Sequence, residues 1–251
     1  MLNAGRMANP DDLKQPVPTG KLCGGVVVSP AASAFFAIRD GKGEVRGVTV
    51  DLLRAFAGTL KLPLALQVYE NSGQVTDAVA GGACDLAFMP RDAAREANVD
   101  FGPAYYFISS TYLVPASSKI QSIDEVNRPG VRIVAISNTT TARSARRTAP
   151  DASVEEVPSV DLMTEMAAAE QGDAFALSHG SLAGLLPKLP GARVLSGQFQ
   201  QTGIAVAVPK GRPAALKLAT DLIEDAKKSG LVRHALDAAG FKDAEVARPA
   251  V

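Results

Sequence analysis

Short apolar runs and helix-spaced apolar positions take turns along the chain from residue 22 onward. Leu22–Val28 is a valine-rich run, too short for a buried helix, and reads as a buried strand. Gly41–Gly43 marks the turn of a hairpin. Thr49, Leu52, Leu53, Phe56, Ala57 and Leu60 recur at the spacing of one helix face, and Pro63 closes that segment. Leu64, Leu66 and Val68 alternate as in a strand. Val75, Ala78 and Val79 predict a short helix that ends at Gly81-Gly82, and Asp85–Met89 a further strand. Asp92 offers an N-cap for a helical turn through Asn98. This β-α-β-α-β order predicts a mostly parallel sheet with helices on both faces.

The alternation then starts again. Tyr105–Val114 is long and extended, and Ser122 with Glu125 has the spacing of a capping box. Val131–Ile136 reads as a strand, Thr139–Arg147 as a helix and Val154–Val157 as a strand. Val160, Met163, Met166 and Ala167 mark a helix face, followed by a strand at Ala174–Leu177 and a helix through Leu186. Two local echoes support a pair of similar lobes. Leu22–Ser29 (LCGGVVVS) resembles Gly130–Ser137 (GVRIVAIS), and Ala80–Phe88 (AGGACDLAF) resembles Glu170–Leu177 (EQGDAFAL). Thr202–Val208 is a second extended segment, followed by two helices around Leu222 and Leu236. With Tyr105–Val114 it predicts two crossings between lobes, which form a hinge. The expected organisation is α/β: a loose leader over 1–20, one lobe from 21–108 plus 205–251, and a second lobe over 109–204.

Composition narrows the function more by exclusion than by suggestion. The 251 residues are 47% hydrophobic and 21% charged, with a formal net charge of 0. Without a Lys/Arg run, a nucleic-acid partner is not expected, since such a surface needs clustered cations. No stretch approaches the roughly 20 apolar residues of a membrane span. The first dozen residues lack the apolar run of about 7–15 residues that marks a secretory signal. That leaves either a removed signal or a cytoplasmic protein. Cys23 and Cys84 do not form a Cys-x-x-Cys pair, and the histidines are His179 and His234, so no metal site is expected. The two cysteines read as free buried thiols, with a disulfide between them as the alternative. No Gly-rich phosphate loop precedes a helix, and no nucleophile–base–orienter set is visible, so neither a cofactor nor catalysis is expected.

Several segments together carry a family likeness. These are Pro18–Leu22, Arg39–Leu53 (RDGKGEVRGVTVDLL), Asp85–Phe88 with the following Asp92–Tyr105, and Gly130–Thr141. From about Lys21 to Phe241 the chain resembles the bacterial extracellular solute-binding proteins of family 3, the substrate-binding components of ABC importers with the type II periplasmic-binding fold. The resemblance implies a monomer that closes around a small ligand and delivers it to a transporter permease. It also implies a periplasmic location, while a cytoplasmic binding or sensing protein of the same fold is the alternative. A dehydratase-like enzyme on this fold is a further alternative, with Glu70, Asp92 and His179 as candidate acids.

In the family an arginine six residues before a phenylalanine pairs with the ligand's carboxylate; here Arg95 and Phe101 have that spacing. A guanidinium fork matches a carboxylate and stays charged at any working pH. The family's second-lobe loop, here Asn138, Thr139 and Thr140, implies hydroxyl and N–H donors to the same carboxylate at a helix start. Ser29 ends the first strand at the carboxyl edge, where open α/β sheets place ligands. Glu70 follows another strand and either lines the site or caps the next helix. Phe35 or Phe36 stands where members carry a stacking aromatic, and Met89 where they carry a serine. The acidic residue that holds an amino acid's ammonium in the family is replaced by Ser178-His179. The expected ligand is therefore a carboxylate, with an α-amino acid second.

Overall fold

The computed structural model describes residues 13–28, 34–242 and 244–248. In chain order the strands and helices begin with β1 (Leu22–Val27), β2 (Ile38–Arg39), β3 (Val45–Arg46), α1 (Val48–Leu60), β4 (Leu64–Tyr69), α2 (Ser72–Ala80) and β5 (Leu86–Pro90). They continue with α3 (Ala93–Glu96), β6 (Val99–Val114), β7 (Arg132–Ile136), α4 (Thr140–Thr148), β8 (Ser153–Val157), α5 (Val160–Ala168) and β9 (Ala174–Ser178). The last are α6 (His179–Leu185), β10 (Arg193–Val194), β11 (Gln200–Pro209), α7 (Pro213–Lys228) and α8 (Leu231–Ala238).

These elements form two compact units. Ile108–Thr202 make up one; the described residues up to Val28, Ala34–Phe107 and those from Gly203 onward make up the other. The chain leaves the first unit within β6 and returns within β11. The first unit's strands run in the order β4-β1-β5-β11-β6. β1 pairs in parallel with β4 and β5, and β11 lies antiparallel to β5. One face of this sheet packs Val75, Val79, Cys84, Met89 and Val99 into a core under α2. Helix α1 buries Leu52, Leu53, Phe56 and Leu60, the face that the helical spacing predicts.

In the second unit the order is β6-β9-β7-β8, with β10 on β6. β7 lies parallel to both β8 and β9, while β6 is antiparallel to β9. Ile133 and Ala135 face the core beneath α4; Val134 and Ile136 face the one beneath α5 and α6. A strand covered on both sides must be apolar throughout, which is why Ile133–Ile136 reads as an unbroken apolar run.

Three local readings change. The stretch read as a loose leader has Leu13 and Val17 buried. The extended segment read from Tyr105 begins earlier, at Val99, so that Gly102-Pro103 lies inside β6. A Cβ on Gly102 would come within 2.7 Å of Val206 Cγ1, so the glycine admits the neighbouring chain rather than turning its own. The Ser122–Glu125 capping box does not form. Ser122 precedes a single 3-10 turn, Ile123–Val126, with no side-chain cap, and the Glu125 carboxylate accepts a bond from the Gln121 N–H at 2.8 Å instead.

Candidate functional site

The residues singled out from sequence fall into two groups, one at the carboxyl edge of each unit's parallel strands. In the first unit Arg95 is central. Asp92 caps α3 by accepting a bond from the Arg95 N–H at 3.0 Å, which fixes the turn after β5. The guanidinium then points back. Nη1 donates to the Pro90 carbonyl at 2.7 Å and Nη2 to the Ser72 hydroxyl at 2.7 Å. Arg95 is only 3% exposed. The neighbouring Glu96 is paired with Arg91 at 2.5 Å. A buried cation held by a carbonyl and a hydroxyl is a rigid fork aimed by two neighbouring turns.

Ser72 is the residue that sequence reasoning missed. It opens α2, whose cap is Asn71; the Asn71 side chain accepts from the Gln74 N–H at 3.0 Å. Only the spatial order β4-β1-β5 brings this turn to Arg95, 23 positions away in sequence. Replacing Ser72 by alanine removes one of the guanidinium's bonds. It is expected to weaken ligand affinity by about tenfold, corresponding to a bond to a charged group worth roughly 1.5 kcal/mol. Isothermal titration calorimetry of Ser72→Ala against wild type measures this.

The other first-unit candidates separate. Glu70 is exposed, and capping of α2 falls to Asn71 rather than to Glu70. Phe35 and Met89 are both buried. Phe35, 3% exposed, is enclosed by Phe36, Tyr105, Tyr106 and Phe241, with centroids between 4.5 and 6.3 Å. Met89 is fully buried, its sulfur accepting from the Thr76 hydroxyl at 3.3 Å. Both fill the core of the first unit; Phe36 is the half-buried aromatic of the pair. Ser29 lies outside the described residues.

In the second unit five candidates gather on two adjacent parallel strands. Asn138 follows β7 with φ 59°, a left-handed conformation that asparagine tolerates, and this turns the chain into α4. Thr139 caps α4. Its hydroxyl accepts from the Ala142 N–H at 3.1 Å and donates to the Ile136 carbonyl at 2.8 Å. With its hydrogen engaged there, the Thr139 hydroxyl has none left to donate. The first-turn N–H groups of α4 have no acceptor within the helix. Thr140 is 4% exposed. Beside them Ser178 caps α6, accepting from the Ser181 N–H at 3.3 Å and donating to the Ser181 hydroxyl at 2.8 Å. His179 is the exposed first residue of that helix. No carboxylate belongs to this second group.

No cluster of metal-ligating side chains occurs among the described residues, and no helix among them is long and apolar enough to cross a membrane. Solved structures place the architecture. An ancestral amino-acid-binding protein, AncCDT-1, a precursor of cyclohexadienyl dehydratase, superposes with a TM-score of 0.75 over 90% of this chain and 98% of its own, at 21% identity. A solute receptor for L-cysteine from Neisseria gonorrhoeae gives 0.77 over 88% and 90%, at 19% identity. The fold is that of the type II periplasmic-binding proteins. Residues 26–238 match the model of the bacterial extracellular solute-binding proteins, family 3, and the chain belongs to that family. The ABC transporter glutamine-binding protein GlnH of Bacillus subtilis is 25% identical over 195 residues, covering 75% of this chain and 70% of that protein.

Proposed function

We propose that this chain is a non-catalytic binding protein that holds a small carboxylate-bearing solute and delivers it to an ABC permease. One observation carries the reading: the buried Arg95 guanidinium, fixed at 2.7 Å by both the Pro90 carbonyl and the Ser72 hydroxyl. In this reading Arg95 pairs with the carboxylate through its planar fork. Within the second unit, the α4 N-terminus and the Thr140 hydroxyl offer a further set of anion donors, aided by the positive end of the helix dipole. The solute stabilises whichever state of the protein binds it best, and its differential affinity sets the shift. The protein works as a monomer without a cofactor, outside the cytoplasm as its family does.

The ordering of ligands rests on Ser178 and His179. An ammonium group needs an acidic partner or several acceptors when it leaves water. Ser178's hydroxyl is already engaged with Ser181. A carboxylate that lacks an α-amino group therefore fits better than an amino acid, although GlnH is named for glutamine. An enzyme on this fold would need a general acid over the bound carboxylate. Glu70 is an exposed residue of the first unit and His179 an exposed residue of the second.

Calorimetric titration of the purified chain with matched pairs, each an α-amino acid and its deaminated carboxylate, decides the ligand class. Carboxylates are expected to bind at micromolar affinity, about −8 kcal/mol, and the amino acids at least tenfold more weakly. Tighter binding of the amino acids overturns the ordering. Absence of binding by every anion tested overturns the function itself.

A further inference from the structure

Away from Arg95, the first unit brings its two cysteines together. Cys23 lies on β1, and its backbone is locked to Asp85. The Cys23 N–H donates to Asp85 Oδ2 at 2.8 Å, and the Asp85 N–H donates to the Cys23 carbonyl at 2.9 Å. On the other side of Cys84, the Cys23 thiol donates to the Ala83 carbonyl at 3.2 Å. Cys23 is thus fastened to both sequence neighbours of Cys84. The Cys23 side chain therefore lies against the short stretch of chain that carries Cys84. Gly25 keeps the space open, since a Cβ there would meet Cys84 Sγ at 3.3 Å. Both sulfurs pack on the same face of the sheet, under α2.

We propose that Cys23 and Cys84 are an oxidative modification site, closing to an intramolecular disulfide by exchange with a disulfide-bearing oxidant. The half-buried Cys23 makes the first attack. Its thiolate bonds one sulfur of the donor disulfide, and the donor's other sulfur leaves as a thiolate. Cys84, on losing its proton, then attacks Cys23 Sγ and expels the second donor thiolate. The two protein thiols lose two electrons and two protons, and the donor disulfide becomes two thiols. The order follows from exposure: Cys84 is fully buried, and burial pushes its thiol up to about 12, so it is the poorer initial nucleophile. The product ties β1 to the turn between β5 and α2, the helix whose first residue holds Arg95. The family's extracellular setting is one in which such bonds persist.

The full folded chain, reduced and then incubated with oxidised glutathione, tests this. Expected are an intact mass lower by two hydrogens, a Cys23–Cys84 cross-linked peptide on digestion, and a melting temperature higher by about 5–10 °C that reverts on adding dithiothreitol. Cys23→Ser and Cys84→Ser are each expected to show no dithiothreitol-dependent shift. A mass raised by one glutathione that persists, a disulfide-linked dimer, or two thiols still alkylatable after oxidation each overturns the proposal. The readouts need no ligand, so they stand or fall apart from the proposed function.

Discussion

Arg95→Lys is expected to weaken solute binding by about ten- to hundredfold while the protein stays folded. The substitution keeps the positive charge. It removes the planar fork that matches two carboxylate oxygens at once, and an ammonium acts only as a point charge. It also breaks a precise support. Nη1 and Nη2 each sit 2.7 Å from a fixed acceptor, the Pro90 carbonyl and the Ser72 hydroxyl, and a lysine reaches at most one of these while addressing a ligand. A lost charge-assisted bond costs roughly 1.5–3 kcal/mol, which is the stated range in affinity. Calorimetric affinity measured beside a thermal melt distinguishes a binding defect from unfolding. Unchanged affinity in Arg95→Lys sinks the role given to the guanidinium.

Gly47→Ala is expected to cause the largest stability loss, about 3 kcal/mol or more, read as a fall in melting temperature of roughly 6–12 °C. Gly47 has φ 139° with ψ 174°, a conformation that side chains exclude. Space is also lacking. A Cβ would sit 2.6 Å from the Phe36 carbonyl oxygen and 2.7 Å from that of Ala34. Neither carbonyl is free to retreat. The Ala34 oxygen accepts from the Val48 N–H at 2.9 Å, and the Phe36 oxygen accepts from the Thr49 hydroxyl at 2.7 Å. These bonds set the entry into α1, so the damage spreads to a helix that buries eight residues. Chemical denaturation monitored by circular dichroism measures the change, and a loss below about 1 kcal/mol contradicts the account.

Where periodicity and burial coincide, the fold is legible in sequence. Val131–Ile136 and the α1 face of Leu52, Leu53, Phe56 and Leu60 announce themselves because covered strands and amphipathic helices leave distinct patterns. The reason for Gly102 is not local, because the close approach of Val206 comes from far downstream in the chain. The site divides in the same way. Arg95 and the Asn138-Thr139-Thr140 turn are local motifs, and the capped turns that hold them are visible in their order. Phe35 and Met89 were placed by correspondence to a motif, yet each is enclosed by neighbours from other elements. Ser72 was invisible as a support for Arg95, because that contact exists only once β4, β1 and β5 stand side by side.

The strand order of the first unit sets a problem of timing. β11 belongs between β5 and β6, yet the part of it that pairs with β5, Ile204–Ala207, is synthesised after the whole of Ile108–Thr202. As the chain emerges from the ribosome, the first five strands must wait with the flank of β5 unpaired, an edge open to wrong partners. The later, uninterrupted segment holds all its own pieces and is free to fold first. A holding chaperone, or quick completion of the inner segment, would then decide how much newly made protein reaches the native state.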